Sequence, residues 1–186
     1  MLQNKLINKN IILASGSPRR HELLKELGIN FTIKVKEVEE TYNPNLKKEE
    51  ITNYLCKLKA ASFINEISEN DIIITADTIV WHNNKALEKP KKASEAIKML
   101  QALSGQKHTV YSSICIKTKN SETVISDETS VYFKQLTLNE IEYYVKNYKP
   151  YDKAGAYGIQ EWIGLIGVTK IKGSYFNVMG LPVHKL

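Results

Sequence analysis

The sequence predicts an α/β fold: a single domain, 1–186, with a mixed, twisted β-sheet flanked by helices. Three observations carry this. The chain has 186 residues, 42% hydrophobic and 25% charged, which suffices for one substantial core and would be cramped for two. Continuous apolar runs at Ile11-Ile12-Leu13-Ala14 and Ile72-Ile73-Ile74, of a kind that suits strands covered on both faces, alternate with segments of helical periodicity. Alternating apolar and polar residues from Val110 to Ile116, and around Val131 and Phe133, read as adjacent antiparallel strands, so the sheet is mixed.

Ile11 to Ala14 forms the first strand. Ser17 is a good N-cap, and Pro18 suits the first helical position, where its missing donor costs nothing, so a helix starts at Pro18 and Gly28 closes it. Ile29, Phe31, Ile33 and Val35 then alternate with polar residues, predicting a half-buried strand, and the spacing allows a hairpin-like pair with the first strand. After the acidic, turn-rich stretch Glu37 to Asn45, a helix from about Lys48 sets Ile51, Leu55, Leu58 and Ala61 on one face, with Lys59 beside it. Ile72 to Ile74 run into Thr75-Ala76-Asp77-Thr78, which puts Asp77 at the end of a buried strand. A turn at His82 to Lys85 leads through Glu88-Lys89-Pro90 to a helix from about Ala93 to Leu103, closed by Gly105. Asn120-Ser121 marks a turn between the antiparallel strands. Thr137 followed by Glu140 is a capping box, opening a helix with Ile141, Tyr144, Val145 and Tyr148 on one side that Pro150 terminates. The glycine-rich stretch Gly155 to Gly180 carries a last strand around Gly164 to Ile171. No internal repeat, low-complexity tract or linker interrupts the alternation.

The balance of 26 Lys and Arg against 20 Asp and Glu gives +6, which suits a polyanionic ligand and equally a solvated surface. A nucleic-acid binder would show a clustered basic stripe with interleaved aromatics, and none is present, so stable nucleic-acid binding is not expected. No stretch approaches the about eighteen apolar residues of a membrane span, and the N-terminus lacks the apolar region of a signal peptide, so a cytoplasmic protein without membrane attachment is expected. Cys56 and Cys115 are too few for a disulfide framework or zinc site and read as buried free thiols. His21, His82, His108 and His184 show no metal-ligand spacing.

Ser15-Gly16-Ser17-Pro18-Arg19-Arg20 places two hydroxyls and two guanidinium groups where a strand becomes a helix. The free N–H groups and positive dipole end of that helix attract an anion, and forked guanidinium donors suit phosphate oxygens. An ordinary capped helix with solvated arginines is the other reading. Glu40, Lys59, Asp77, Lys89 and Gln160 also stand out against their local structure. Together they suit metal-dependent attack on a phosphoanhydride, which needs carboxylates for Mg²⁺ or Mn²⁺, cations to neutralise phosphate charge, and a base to direct water. Taken singly, Asp77 also reads as a satisfied turn residue, Lys59 and Lys89 as solvated lysines, Glu40 as surface charge and Gln160 as a backbone-bonded amide.

Five strings bear on the choice: L-A-S-G-S-P-R-R (Leu13 to Arg20), A-D-T-I-V (Ala76 to Val80), L-E-K-P (Leu87 to Pro90), D-K-A-G-A-Y-G-I-Q (Asp152 to Gln160) and G-L-P-V (Gly180 to Val183). In this order and spacing, with weaker matches at Val38 to Thr41, Leu55 to Ala60 and Leu103 to Gln106, the chain resembles the Maf family over almost its whole length. The resemblance implies the α/β fold of inosine triphosphate pyrophosphatases. It also implies a nucleoside triphosphate pyrophosphatase that cleaves between the α and β phosphates. Carried over residue by residue, Asp77 matches the general base and a metal ligand, Glu40 a metal ligand, and Lys59 and Lys89 catalytic cations. Ser15, Ser17, Arg19 and Arg20 match the phosphate-binding turn. The chain is similar to the branch acting on dTTP and UTP rather than the one acting on 7-methyl-GTP. Arg19, Thr78 and Gln160 match its selectivity positions, and a Gln amide can donate and accept in one plane against the O4 and N3 edge of uracil or thymine. Glu161 stands where the resemblance expects glycine, changing the charge beside the base pocket. The resemblance further implies a homodimer, and its alternative is a non-catalytic regulator of septum formation.

Overall fold

The computed structural model describes residues 2–186. In chain order its elements are α1 (Leu2–Lys5), β1 (Asn10–Leu13), α2 (Pro18–Glu26), β2 (Thr32–Ile33), α3 (Glu49–Ala61), β3 (Asp71–His82), β4 (Lys85–Leu87), α4 (Ala93–Leu103), β5 (Lys107–Lys117), β6 (Glu122–Phe133), α5 (Leu138–Tyr148), α6 (Trp162–Gly167), β7 (Val168–Lys172) and α7 (Tyr175–Met179). Short 3-10 turns lie at Ala154–Ala156 and Val183–Lys185. The strands form one mixed sheet in the order β2-β1-β3-β5-β6-β7, with β4 pairing β3. This is the predicted class, a mixed sheet flanked by helices.

Contacts divide the chain into two compact units, and β3, β5 and β6 give residues to both. The first comprises residues 1–77, 112–127 and 180–186. In it β1 pairs in parallel with β2 (Leu13 opposite Ile33) and with β3 (Leu13 opposite Ile74). The hairpin allowed by the spacing is therefore replaced by a parallel pair, because α2 carries the chain back before β2 begins. That strand is also shorter than its alternation implied: Ile33 and Val35 are exposed, so only two residues pair with β1. Helix α2 starts at Pro18, and Gly28, with φ of 68°, follows its C-cap Leu27. Helix α3 buries Ile51, Thr52, Leu55, Cys56 and Ala60, whereas Ala61, expected on the apolar face, is exposed. Cys56 and Cys115 are buried free thiols, as expected.

The second unit comprises residues 78–111 and 128–179. Its core joins Val80, Leu100, Leu103, Val131, Phe133, Ile141, Tyr144, Tyr157, Ile159 and Ile163, with α4 packed on α5. The antiparallel pair β3–β4 closes through Asn83 and Asn84, both left-handed (φ of 48° and 59°), the two-residue turn whose twist matches the strands. Helix α5 opens on the predicted capping box, with the Thr137 hydroxyl accepting from Glu140 N–H and the Glu140 carboxylate accepting from Thr137 N–H.

Two expectations need correction. Strand β3 runs to His82, so Asp77 lies in mid-strand rather than at its end. Its burial on both faces keeps the ladder going past the polar residues. The last strand is Val168–Lys172, and Gly164 belongs to helix α6 instead. There Gly164 packs so closely on the preceding turn that an added Cβ would lie 1.8 Å from the Ile159 carbonyl oxygen. Gly164→Ala is expected to destabilise the protein by about 2 kcal/mol or more, because the obstacle is backbone and cannot rotate away. Equilibrium urea unfolding checks this, and an unchanged midpoint would count against the packing.

Candidate active site

In the first unit the ladder continues one residue past β1, with Ala14 N–H donating to the Ile74 carbonyl at 2.8 Å. The chain then turns at Ser15, which is buried, and enters α2. Ser17 occupies the N-cap position in an extended conformation, yet its side chain makes no cap bond. The hydroxyl that organises the turn is that of Ser15, which accepts from Ser17 N–H at 3.3 Å and from Arg20 Nη1 at 3.2 Å. His21 Nε2 donates to the Ser15 carbonyl at 2.6 Å.

Arg20 ties three distant stretches together. Its Nη1 also donates to the Ala76 carbonyl at 2.8 Å, and its Nε to the Gly180 carbonyl at 2.8 Å. The guanidinium fork suits such divergent carbonyl acceptors in a way an ammonium does not. Burial draws its pKa below the ordinary value while nearby Asp77 opposes this, and an arginine remains a cation throughout.

Next to Ala76, Asp77 is 7% exposed. Lys59, in the last turn of α3, sets its ammonium 2.6 Å from Asp77 Oδ1 and 2.9 Å from Glu40 Oε2. Glu40, in the loop before α3, is exposed, so the group opens toward solvent on its side. Burial pushes the Asp77 carboxyl above the usual aspartate range, and Lys59 and Arg20 pull the other way without fully offsetting it. A buried carboxylate with a raised pKa is suited to accept a proton from water.

The structure thus brings Ser15, Arg20, Glu40, Lys59 and Asp77 together in the first unit, with Ser17 and Arg19 on the same turn. The other expected residues lie in the second unit. Thr78 follows Asp77 along β3 and is half-buried, Lys89 is exposed in the loop after β4, and Gln160 is exposed in the turn before α6. Sequence reasoning missed His21 and the Gly180 carbonyl. His21 follows the two arginines directly, and the G-L-P-V string starts at Gly180, so both carried a signal without a partner to assign.

Lys59 thus faces two carboxylates, and the Arg20 guanidinium bonds the Ala76 carbonyl next to Asp77. Glu40 and Asp77 supply acidic oxygens, the donor type that hard divalent cations take, and both oxygens here meet the Lys59 ammonium. Among the described residues no cluster of three His, Cys, Asp or Glu could hold a metal by itself.

A buried aspartate and an exposed glutamate bridged by lysine, beside a basic strand-to-helix turn in an α/β sheet, have the make-up of a phosphate-handling hydrolase site. Residues 10–186 match the family described as Maf-like protein, and the chain belongs to that family. A Flavobacterium johnsoniae protein named dTTP/UTP pyrophosphatase is 55% identical over 186 residues, covering 100% of this chain and 96% of its own. One of the same name from Christiangramia forsetii is 55% identical, covering 100% and 95%. Another from Bacteroides fragilis is 48% identical over 187 residues, covering 100% and 96%. Among solved structures, the Staphylococcus aureus Ham1 protein has a TM-score of 0.49 at 15% identity, over 67% of this chain and 72% of that one. Among the described residues no helix is long and apolar enough to cross a membrane.

Proposed function

We propose that this chain is a nucleoside triphosphate pyrophosphatase that hydrolyses dTTP and UTP, and modified pyrimidine nucleotides, to the monophosphate and pyrophosphate. The observation that carries the reading is the Asp77 carboxylate, buried, raised in pKa and in contact with Lys59. The full-length likeness to proteins named dTTP/UTP pyrophosphatase supports the substrate.

In this reading Asp77 takes a proton from a water whose oxygen bonds to the α-phosphorus, while the bond from that phosphorus to the α–β bridging oxygen breaks and its electron pair leaves with pyrophosphate. Lys59, one contact from Asp77, holds the carboxylate ionised and stabilises the charge that develops on phosphate oxygens. Lys89 serves as a second cation from its exposed loop. Mg²⁺ or Mn²⁺ held by Glu40 and Asp77 would neutralise phosphate charge when bound. Ser15 and Ser17 supply the turn. Because Arg20 Nε and Nη1 are directed at backbone carbonyls and Ser15, Arg20 holds the turn in shape and Arg19 is the arginine assigned to the nucleotide. Arg19, Thr78 and Gln160 are assigned to base selection. A cytoplasmic homodimer without nucleic-acid or membrane partners, functioning as one domain, completes the proposal.

The test is pyrophosphate release from dTTP, UTP, CTP, GTP and 7-methyl-GTP with Mg²⁺, with Mn²⁺ and with chelator. Expected is cleavage of dTTP and UTP that chelator abolishes. Well-folded protein that turns over none of the five would instead favour the regulator of septum formation.

A further inference from the structure

We infer that Glu161 is a positioning residue for base selection: held by Tyr144 and Lys153, its carboxylate fixes the turn that presents Gln160. The inference deepens the reading above and rests on it.

All the groups concerned lie in the second unit. Gln160 is an exposed side chain between Ile159, 6% exposed and part of the core, and Glu161. Glu161 N–H donates to the Gly158 carbonyl at 3.0 Å, closing a tight turn around Gln160. The Tyr144 hydroxyl, on the fully buried side chain from α5, accepts from Gly158 N–H at 3.0 Å and donates to Glu161 Oε2. One phenol thus holds both ends of the turn. The other carboxylate oxygen, Oε1, meets the Lys153 ammonium at 3.0 Å. Lys153 is 7% exposed, and an ammonium so buried requires a counter-charge; its other acidic contact, Asp152 at 2.7 Å, has a side chain that is half exposed. Burial and the bond to Glu161 push the Tyr144 phenol pKa up, so it stays a donor across the working range.

Glycine at position 158 makes room for this arrangement. A Cβ there would lie 2.8 Å from Glu161 Cδ, 2.9 Å from its Oε2 and 3.0 Å from Lys153 Cε. The carboxylate is therefore folded back over the turn, with an oxygen on each of two partners, and acts through its neighbour rather than on a ligand. A primary amide reads a base edge only when its plane is held within about 10–20°, and an exposed side chain on an unclamped turn is not so held. With glycine at 161, Lys153 would keep only Asp152, and the Tyr144 hydroxyl would lose its acceptor.

The experiment measures kcat and KM for dTTP, UTP and CTP with the full chain and with Glu161→Ala, Glu161→Gln, Gln160→Ala and the Gln160→Ala/Glu161→Ala double variant. Glu161→Ala is expected to raise KM for dTTP and UTP about three- to tenfold with kcat little changed, the range of one lost neutral hydrogen bond. Preference over CTP should fall accordingly. Glu161→Gln, whose amide oxygen still accepts from Tyr144, should recover most of the loss. In the Gln160→Ala background, Glu161→Ala should add nothing, because its effect runs through Gln160. An unchanged KM and preference in Glu161→Ala would overturn the inference, as would an equal kcat loss on all three nucleotides or full additivity with Gln160→Ala. Those outcomes are read against an active wild-type protein; a wild type that cleaves no triphosphate overturns the functional reading and this inference with it.

Discussion

Asp77→Asn is expected to lower turnover of dTTP and UTP by about a thousandfold or more, the contribution of a positioned general base, while the fold persists. That is about 4 kcal/mol of transition-state stabilisation. The amide keeps the shape of the carboxyl, and Lys59 keeps Glu40 as a partner. Burial outweighs both cations in setting the Asp77 pKa, so the ionised carboxylate is itself a cost to the folded chain. The variant should therefore be as stable as the parent at pH 8, or more so. Steady-state rates and urea midpoints on the same preparations check both halves, and near-normal turnover would remove Asp77 from the role of base. In the parent, activity should fall on the acid side at a pH above the ordinary aspartate value of about 4, since the base must be ionised to act.

Lys59→Met should have the larger effect on stability. Removing the ammonium leaves Asp77 buried without its closest counter-charge, at a cost of about 3 kcal/mol. The sign with pH follows from the raised pKa. A carboxyl whose folded pKa exceeds its unfolded one gives its full contribution to stability below the unfolded value and loses it as pH rises through the folded value. Without Lys59 that folded value climbs further, so the destabilisation should be larger at pH 8 than at pH 5. The double variant Lys59→Met/Asp77→Asn, with neither charge, should regain most of the loss. A Lys59→Met deficit that is equal at both pH values, or undiminished in the double variant, would show that the methylene stem rather than the charge is what matters.

Where the chain signalled its structure locally, the reading held. The start of α2 at Pro18, the left-handed Gly28 and Gly105, and the Thr137–Glu140 capping box are decided within a few residues by backbone chemistry. Where the deciding contact lies far along the chain, it did not. Strand β2 pairs in parallel with β1 instead of folding back on it, and β3 runs on past Asp77 because it is buried on both faces. The candidate site shows the same division. Its residue types were legible, but the identity of Arg20 as the organiser, reaching Ser15, Ala76 and Gly180, is a property of the folded chain. Tyr144 read as one more residue on the apolar face of α5, and the bond from its hydroxyl to Glu161 likewise belongs to the folded chain.

The Arg20 bond to the Gly180 carbonyl spans 160 positions of sequence. During synthesis at about 5–20 residues per second, the guanidinium emerges long before its last acceptor has been made. Until then the strand-to-helix turn has the Arg20 bonds to Ser15 and Ala76 without the one to Gly180. Arg20 therefore gains its bond to Gly180 only after residue 180 has been made, and the shape of a turn near the start of the chain depends on a partner far along it.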